Sequence, residues 1–128
     1  MGWRLWHVDD DRLLSWTRGA AWPAGERMEA RCRRLFGHAP HEAPQSRHSC
    51  GIYALRTREQ AAALLHELPR RLRKPIALGR VSLWGRVIEN VGGWRAQYAY
   101  PYELFLVGGD DAVAAGLRRR YAVDVARL

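Results

Sequence analysis

Alternating apolar and polar residues predict a series of short strands. Residues 3–8 alternate in this way and are followed by the acidic run 9–11, which indicates a strand and its end. Residues 27–33 alternate between apolar or small side chains and charged ones, as in a half-buried strand with a charged outer face. Further elements are predicted at 13–16, 51–55, 76–88, 94–100 and 123–125, with a hairpin loop at 89–93 and Pro101 ending the strand before it.

The clearest helix signal begins at Thr57. Thr57 and Gln60 form a predicted capping box, in which the Thr57 hydroxyl accepts from the Gln60 backbone N–H and the Gln60 side chain reaches back. The helix is expected to end at Pro69, because proline cannot continue it. Its inward face is predicted to consist of four apolar residues: Ala61, Leu64, Leu65 and Leu68.

A second helix signal lies near the C-terminal end of the chain. Asp110 or Asp111 can cap a helix there, with Val113, Leu117 and Tyr121 facing inward. The two helices do not alternate regularly with the strands, so a doubly wound parallel sheet is not expected. The sequence therefore predicts an α+β fold: a small, mostly antiparallel sheet of about five to seven strands, partly barrel-like, with two helices.

Length and composition predict a single domain, residues 1–128. Of the 128 residues, 48% are hydrophobic and 27% are charged, which are ordinary values for a globular protein with its own core. No apolar run approaches the roughly 18 to 20 residues that cross a bilayer, so no membrane partner is expected. Residues 1–11 lack the apolar centre of a signal peptide, which predicts a cytoplasmic location.

A formal net charge of +8 narrows the expected partners. Lys74 is the single lysine among 21 Lys and Arg residues, so arginine supplies nearly all of the positive charge. A basic surface would attract nucleic acid, an acidic protein or another polyanion. A genome of high GC content would favour arginine without any binding, and the sequence leaves both interpretations open. It does not indicate an oligomeric state.

The predicted hairpin over residues 76–100 mixes arginines with aromatic residues. Guanidinium groups can neutralise phosphates while exposed rings stack on bases, as in proteins that bind single strands. The candidate nucleic-acid contacts are Arg80, Trp84, Arg86 and Arg95. A core position is expected instead for three aromatic residues that share one parity along the returning strand, Trp94, Tyr98 and Tyr100.

Both cysteines and three of the five histidines fall within residues 32–50. Cysteine and histidine are preferred zinc ligands, and four of them complete a tetrahedral site. The candidate ligands are Cys32, His41, His48 and Cys50, with His38 as a competitor. Their spacing matches no common zinc motif, so two ordinary thiols and solvated histidines remain an alternative, with no cofactor bound.

The same residues suggest a catalytic alternative. Cys50 with His41 or His48 as its base would suit a hydrolase or transferase acting on a small substrate. Cysteine nucleophiles are usually activated at a helix N-terminus, whereas Cys50 precedes a predicted strand. A metalloprotease H-E-x-x-H motif starting at His41 fails because position 45 is Gln45. We therefore assign no catalytic residues and do not expect an enzyme.

Two segments resemble a group of small proteins of high-GC bacteria for which no activity is established. The segments run from HEAP at 41–44 to CGIYA at 50–54, and from LWGRVIE at 83–89 to GWRAQYAYP at 93–101. The resemblance covers about residues 20–125 and implies a shared fold without a function. From charge and motifs we predict a small basic binding or adaptor module that contacts nucleic acid or another polyanion. A protein–protein interaction module with a structural zinc is a further alternative.

Overall fold

A computed structural model of the chain describes residues 1–16, 19–30, 50–67 and 75–128. Within these residues it contains seven strands and two helices, as predicted for an α+β fold. In chain order they are β1 (Gly2–Asp9), β2 (Arg12–Ser15), β3 (Met28–Glu29), β4 (Ile52–Leu55), α1 (Arg58–His66), β5 (Ile76–Asn90), β6 (Gly93–Val107), α2 (Asp111–Tyr121) and β7 (Asp124–Arg127).

A long antiparallel hairpin of β5 and β6 organises the sheet. β1 pairs antiparallel with β5 and also with β2, while β3 and β4 pair antiparallel with β6. β7 pairs parallel to β6, which is the one parallel pairing among the described strands. Trp3 and Leu55 form the one register pair described between β1 and β4, so the sheet curls without clearly forming a barrel. The predicted mostly antiparallel sheet is confirmed.

The returning strand β6 is longer than predicted, because Pro101 lies inside it. Proline lacks the N–H that a regular ladder needs and is tolerated at irregular positions. The β5–β6 register shifts at this point: Arg80 pairs with Glu103 and Val81 with Pro101, which leaves Tyr102 as an extra residue. This bulge accommodates the proline, so the prediction that Pro101 ends the strand is wrong.

α1 has the predicted N-terminal cap. The Gln60 backbone N–H donates to Thr57 Oγ1 at 3.2 Å, and the Thr57 backbone N–H donates to Gln60 Oε1 at 3.0 Å. Ala61 is fully buried, but Leu64 is 39% exposed, so the buried face of α1 is narrower than predicted. Neither helix in the described part of the chain is long and apolar enough to cross a membrane.

The larger of two cores lies between the sheet and α2. It contains Trp6, Trp22 and Leu104 from the sheet side and Leu117 and Tyr121 from α2. Asp110 caps α2 through a 3.0 Å bond from the Val113 N–H to its carboxylate, as predicted. This core fixes one side of the β5–β6 hairpin near α2.

A smaller core lies under α1. Leu5, Ile76 and Leu78 of the sheet pack with Ala61 of the helix. Along β5, Arg80 and Trp84 share the parity of Leu78, because no extra residue interrupts β5 between them. The residues at the start of β5 are buried, whereas residues 84–87 are exposed. The far end of the hairpin therefore presents side chains to solvent.

Candidate nucleic-acid interface

A second bulge in the β5–β6 hairpin creates the exposed end. Trp84 pairs with Tyr98 and Val87 pairs with Ala96, so two residues of β5, Gly85 and Arg86, lie opposite one residue of β6. Gly85 has φ +74°, a conformation that glycine adopts without steric cost. A Cβ at this position would lie 2.6 Å from Cδ2 of Tyr98. Only glycine therefore allows the Tyr98 ring to lie this close to the bulge.

Two aromatic rings lie beside this bulge. The ring centroids of Trp84 and Tyr98 are 6.2 Å apart, with the planes tilted by 38°. Trp84, one of the candidate contacts, is 39% exposed. Arg27, from the segment before β3, places its guanidinium carbon 3.8 Å from the centroid of the Tyr98 ring. Cation–π contact of this kind holds an arginine over a ring while leaving its N–H donors available.

Two arginines at this end form no ion pair with a carboxylate of the described residues. Arg27 and Arg86 are both exposed, and the ion pairs found among the described residues involve neither of them. The backbone N–H of Arg86 donates to Oε1 of Gln97 at 3.0 Å, which holds the bulged backbone in place. We call Arg27, Trp84, Arg86 and Tyr98 the aromatic–arginine surface.

Arg80 lies further along the same side of β5 and is already paired. Its Nε donates to Oε1 of Glu103, its partner in the strand register. Its guanidinium carbon also lies 5.0 Å from the ring centroid of Tyr102, which is 50% exposed. The hydrogen bond to Glu103 raises the pKa of Arg80, so its charge is stabilised within the protein. Arg80 therefore contributes less free positive charge than Arg86.

Arg95, the fourth predicted contact, lies in the interior. It is 6% exposed, and Nη1 donates to the backbone O of Cys50 at 2.9 Å. A buried guanidinium needs acceptors for its donors, and a carbonyl at the start of β4 supplies one. We therefore leave Arg95 out of the aromatic–arginine surface. The alternation of inward and outward residues along β6 could not predict that Arg95 is buried, because the neighbouring residue Ala96 is buried as well.

The aromatic residues expected in the core have different environments. Tyr100 packs against the larger core, while Trp94 and Tyr98 are only half-buried and belong to neither core. Tyr98 and Arg27 belong to the aromatic–arginine surface, and sequence analysis did not name either as a candidate contact. Arg27 lies far from the hairpin in sequence, and only the pairing of β3 with β6 brings it near Tyr98. No local pattern could have indicated that pairing.

Of the four candidate zinc ligands, Cys32, His41 and His48 lie outside the described residues, as does His38. Cys50 is described as partly buried, and it precedes β4 rather than opening a helix. Its backbone carbonyl is the acceptor for Arg95. The described part of the chain contains no group of three or more His, Cys, Asp or Glu residues placed to hold a metal. The zinc site stays a prediction.

Comparison with known proteins gives no relative for this fold and surface. No protein-family model, no curated protein and no solved structure matches the chain significantly. The resemblance noted for residues 20–125 stays a prediction.

Proposed function

We propose that the protein is a non-enzymatic module that binds single-stranded nucleic acid through the aromatic–arginine surface. The observation that carries the proposal is the contact of exposed Trp84 with half-buried Tyr98, beside two arginines that form no ion pair in the described part of the chain. Aromatic rings stack on unpaired bases of any sequence, and arginine neutralises the adjacent phosphates. The net charge of +8 adds long-range attraction for the same polyanion.

Single strands fit this surface better than duplexes. The bases of a duplex are already stacked on one another, so a surface tryptophan has no base face to meet without opening the helix. The arginines alone would bind either form through phosphates, with a strong dependence on salt. A preference for single strands therefore reports the contribution of Trp84 and Tyr98.

The test is fluorescence anisotropy with a labelled oligothymidylate of about 20 nucleotides, which is longer than typical single-strand sites. Trp84→Ala should weaken binding by about 5- to 100-fold, the usual effect of removing one stacking ring. Trp84→Phe keeps a ring and should recover most of that loss. Arg86→Ala should reduce the slope of log affinity against log salt by about 0.7 if it neutralises one phosphate of a single strand.

Arg119 supplies the matched control. It is exposed on α2, and Arg119→Ala makes the same charge change as Arg86→Ala outside the proposed surface. Its affinity should stay within about twofold of the wild type if local contacts dominate over net charge. Absence of binding to the oligonucleotide at low salt would refute the proposal. Equal losses of affinity in Arg86→Ala and Arg119→Ala, with no loss in Trp84→Ala, would also refute it, because the binding would then be unspecific charge attraction.

A further inference from the structure

A second exposed ring lies on the hairpin, at the bulge beside Pro101. Tyr102 is the extra residue of β6 at this bulge, and it is 50% exposed, more than Trp84 at 39%. A bulge turns a side chain away from the direction that regular alternation would give it, and bulges are common where a strand contacts a ligand. The bulge that accommodates Pro101 therefore also presents the Tyr102 ring to solvent.

The Tyr102 ring lies next to an ion pair. The guanidinium carbon of Arg80 is 5.0 Å from the ring centroid, and Nε of Arg80 donates to Oε1 of Glu103. Because Arg80 balances the charge of Glu103, this carboxylate repels a nearby phosphate less than an unpaired one would. The contact with Arg80 also restricts the ring before any ligand arrives, which lowers the entropy lost when a base stacks on it.

A strip of β5 connects this ring with the aromatic–arginine surface. Arg80, Ser82 and Trp84 lie on the same side of β5, because no extra residue interrupts β5 between them. Ser82 is small and only partly buried, so no large side chain of β5 separates the two ends of the strip on that side. The two ends are four residues apart, which is about 13 Å along a strand.

The strip borders an open edge of the sheet. β1 pairs with β5 only as far as Val81, which lies opposite Gly2. Among the described strands none pairs with the outer edge of β5 over residues 82–90. A ligand that lies along the strip can therefore reach Trp84 and Ser82 without displacing a described strand.

The length of the strip sets the length of a matching nucleic acid. Successive nucleotides of a stacked strand rise by about 3.4 Å, so about 13 Å corresponds to roughly four stacked nucleotides and to fewer in an extended strand. The rings of Trp84 and Tyr102 therefore meet bases that are not neighbours in the strand. A mononucleotide or dinucleotide can reach only one of the two rings.

We propose that Tyr102 is a second stacking position, and that the ligand is a strand of at least about four unpaired nucleotides lying along β5 from Trp84 to Tyr102. This inference rests on the proposed function, because it names the length and the path of the ligand at the same interface. Proteins that bind single strands without sequence preference place several aromatic rings along one strand, with sites of about 4 to 16 nucleotides. Two rings joined by a strip of small and arginine side chains fit the short end of that range.

Substitution of Tyr102 tests the second position by fluorescence anisotropy with the labelled oligothymidylate. Tyr102→Ala should weaken binding by about 5- to 100-fold, as expected for the loss of one stacking ring. Tyr102→Phe keeps the ring and should recover most of that loss. Tyr53→Ala is the matched control: Tyr53 is 47% exposed but lies on β4, outside the strip, so this variant should keep the wild-type affinity.

The length of the strand gives a second measurement that needs no variant. Unlabelled oligothymidylates of about two, four and eight nucleotides compete with the labelled strand. For the wild type the affinity should rise steeply between about two and four nucleotides, because only the longer strand reaches both rings. In Tyr102→Ala most of that steep rise should disappear, while Tyr53→Ala should retain it.

The outcomes separate this inference from the proposed function. If the wild type binds no oligonucleotide, both are refuted. If Trp84→Ala weakens binding but Tyr102→Ala behaves like Tyr53→Ala, the proposed function stands and the second stacking position is overturned. A wild-type affinity that does not rise between about two and four nucleotides also overturns it, whether or not the variants fold.

Discussion

The hydroxyl group of Tyr121 joins three parts of the larger core, and its removal should be costly. Tyr121 is 1% exposed, at the end of α2. Its hydroxyl accepts from the backbone N–H of Leu13 at 2.8 Å and donates to the backbone O of Trp22 at 2.9 Å. Leu13 and Trp22 are 0% and 3% exposed, so water cannot easily replace the lost oxygen. Tyr121→Phe therefore leaves one donor and one acceptor without partners in the interior.

The expected loss follows from those two orphaned groups. Each buried polar group left without a partner costs about 1 to 3 kcal/mol, so the two groups should lower the free energy of unfolding of Tyr121→Phe by roughly 2 to 6 kcal/mol. That is a large part of the 5 to 15 kcal/mol typical of a domain. Urea unfolding followed by tryptophan fluorescence measures the change, provided that the dependence on urea concentration keeps its slope.

Tyr100→Phe provides the matched control. The Tyr100 hydroxyl also makes two bonds, donating to the backbone O of Tyr121 at 3.0 Å and accepting from the N–H of exposed Gly25 at 2.9 Å. Water can reach the Gly25 group, so this variant should lose only about 0.5 to 1.5 kcal/mol, the net value of a typical hydrogen bond. A loss below about 1 kcal/mol in Tyr121→Phe, or equal losses in both variants, would refute the reasoning about burial.

Two further predictions concern pH and the bulge. Burial raises the pKa of Tyr121 above its usual 10.0, so the folded state keeps this proton at pH values where the unfolded state loses it. The stability that the tyrosine contributes is thus fully present below pH 10 and falls as pH rises toward its folded pKa. The difference in free energy of unfolding between the wild type and Tyr121→Phe should therefore be smaller at about pH 10.5 than at about pH 8. Gly85→Ala should lower both stability and oligonucleotide affinity more than Gly25→Ala: both glycines have φ +74°, but only at Gly85 would a Cβ collide with Tyr98, at 2.6 Å. Similar stability losses in the two alanine variants, or unchanged affinity in Gly85→Ala, would contradict the role of the bulge.

The sequence correctly predicted the features that depend on residues close together in the chain. The capping box at Thr57 and the cap at Asp110 depend on residues three apart, and the structure confirms both. The strand predicted at 123–125 is observed as β7, although its parallel pairing with β6 depends on where α2 ends. Ala122, in the left-handed conformation at φ +55°, ends that helix. Glycine or asparagine usually occupies such a position, so an alanine did not indicate the helix end.

The incorrect predictions come from contacts between distant segments. Parity along β6 placed Tyr98 in the core, but Arg27 and Trp84 occupy the space beside its ring. Parity also gave Arg95 an outer position, whereas a carbonyl 45 residues earlier in the chain holds it inside. Bulges shift which residues face the core, and each bulge reflects the register of two strands together. A single strand's alternation does not contain that information.

The positions of the arginines refine the argument from net charge. Nη1 of Arg95 bonds a carbonyl at the start of β4, and Arg118 donates twice to the O of Val125 at 3.1 and 2.7 Å. Arg56 donates to the O of Val91 at 3.0 Å at the hairpin end. Such contacts use several fixed N–H groups on one side chain, which arginine offers and lysine does not. Part of the +8 charge thus belongs to arginines that bind loop and strand ends. Arg27 and Arg86 of the aromatic–arginine surface are exposed and form no ion pair within the described residues, so their charge is available to a polyanion.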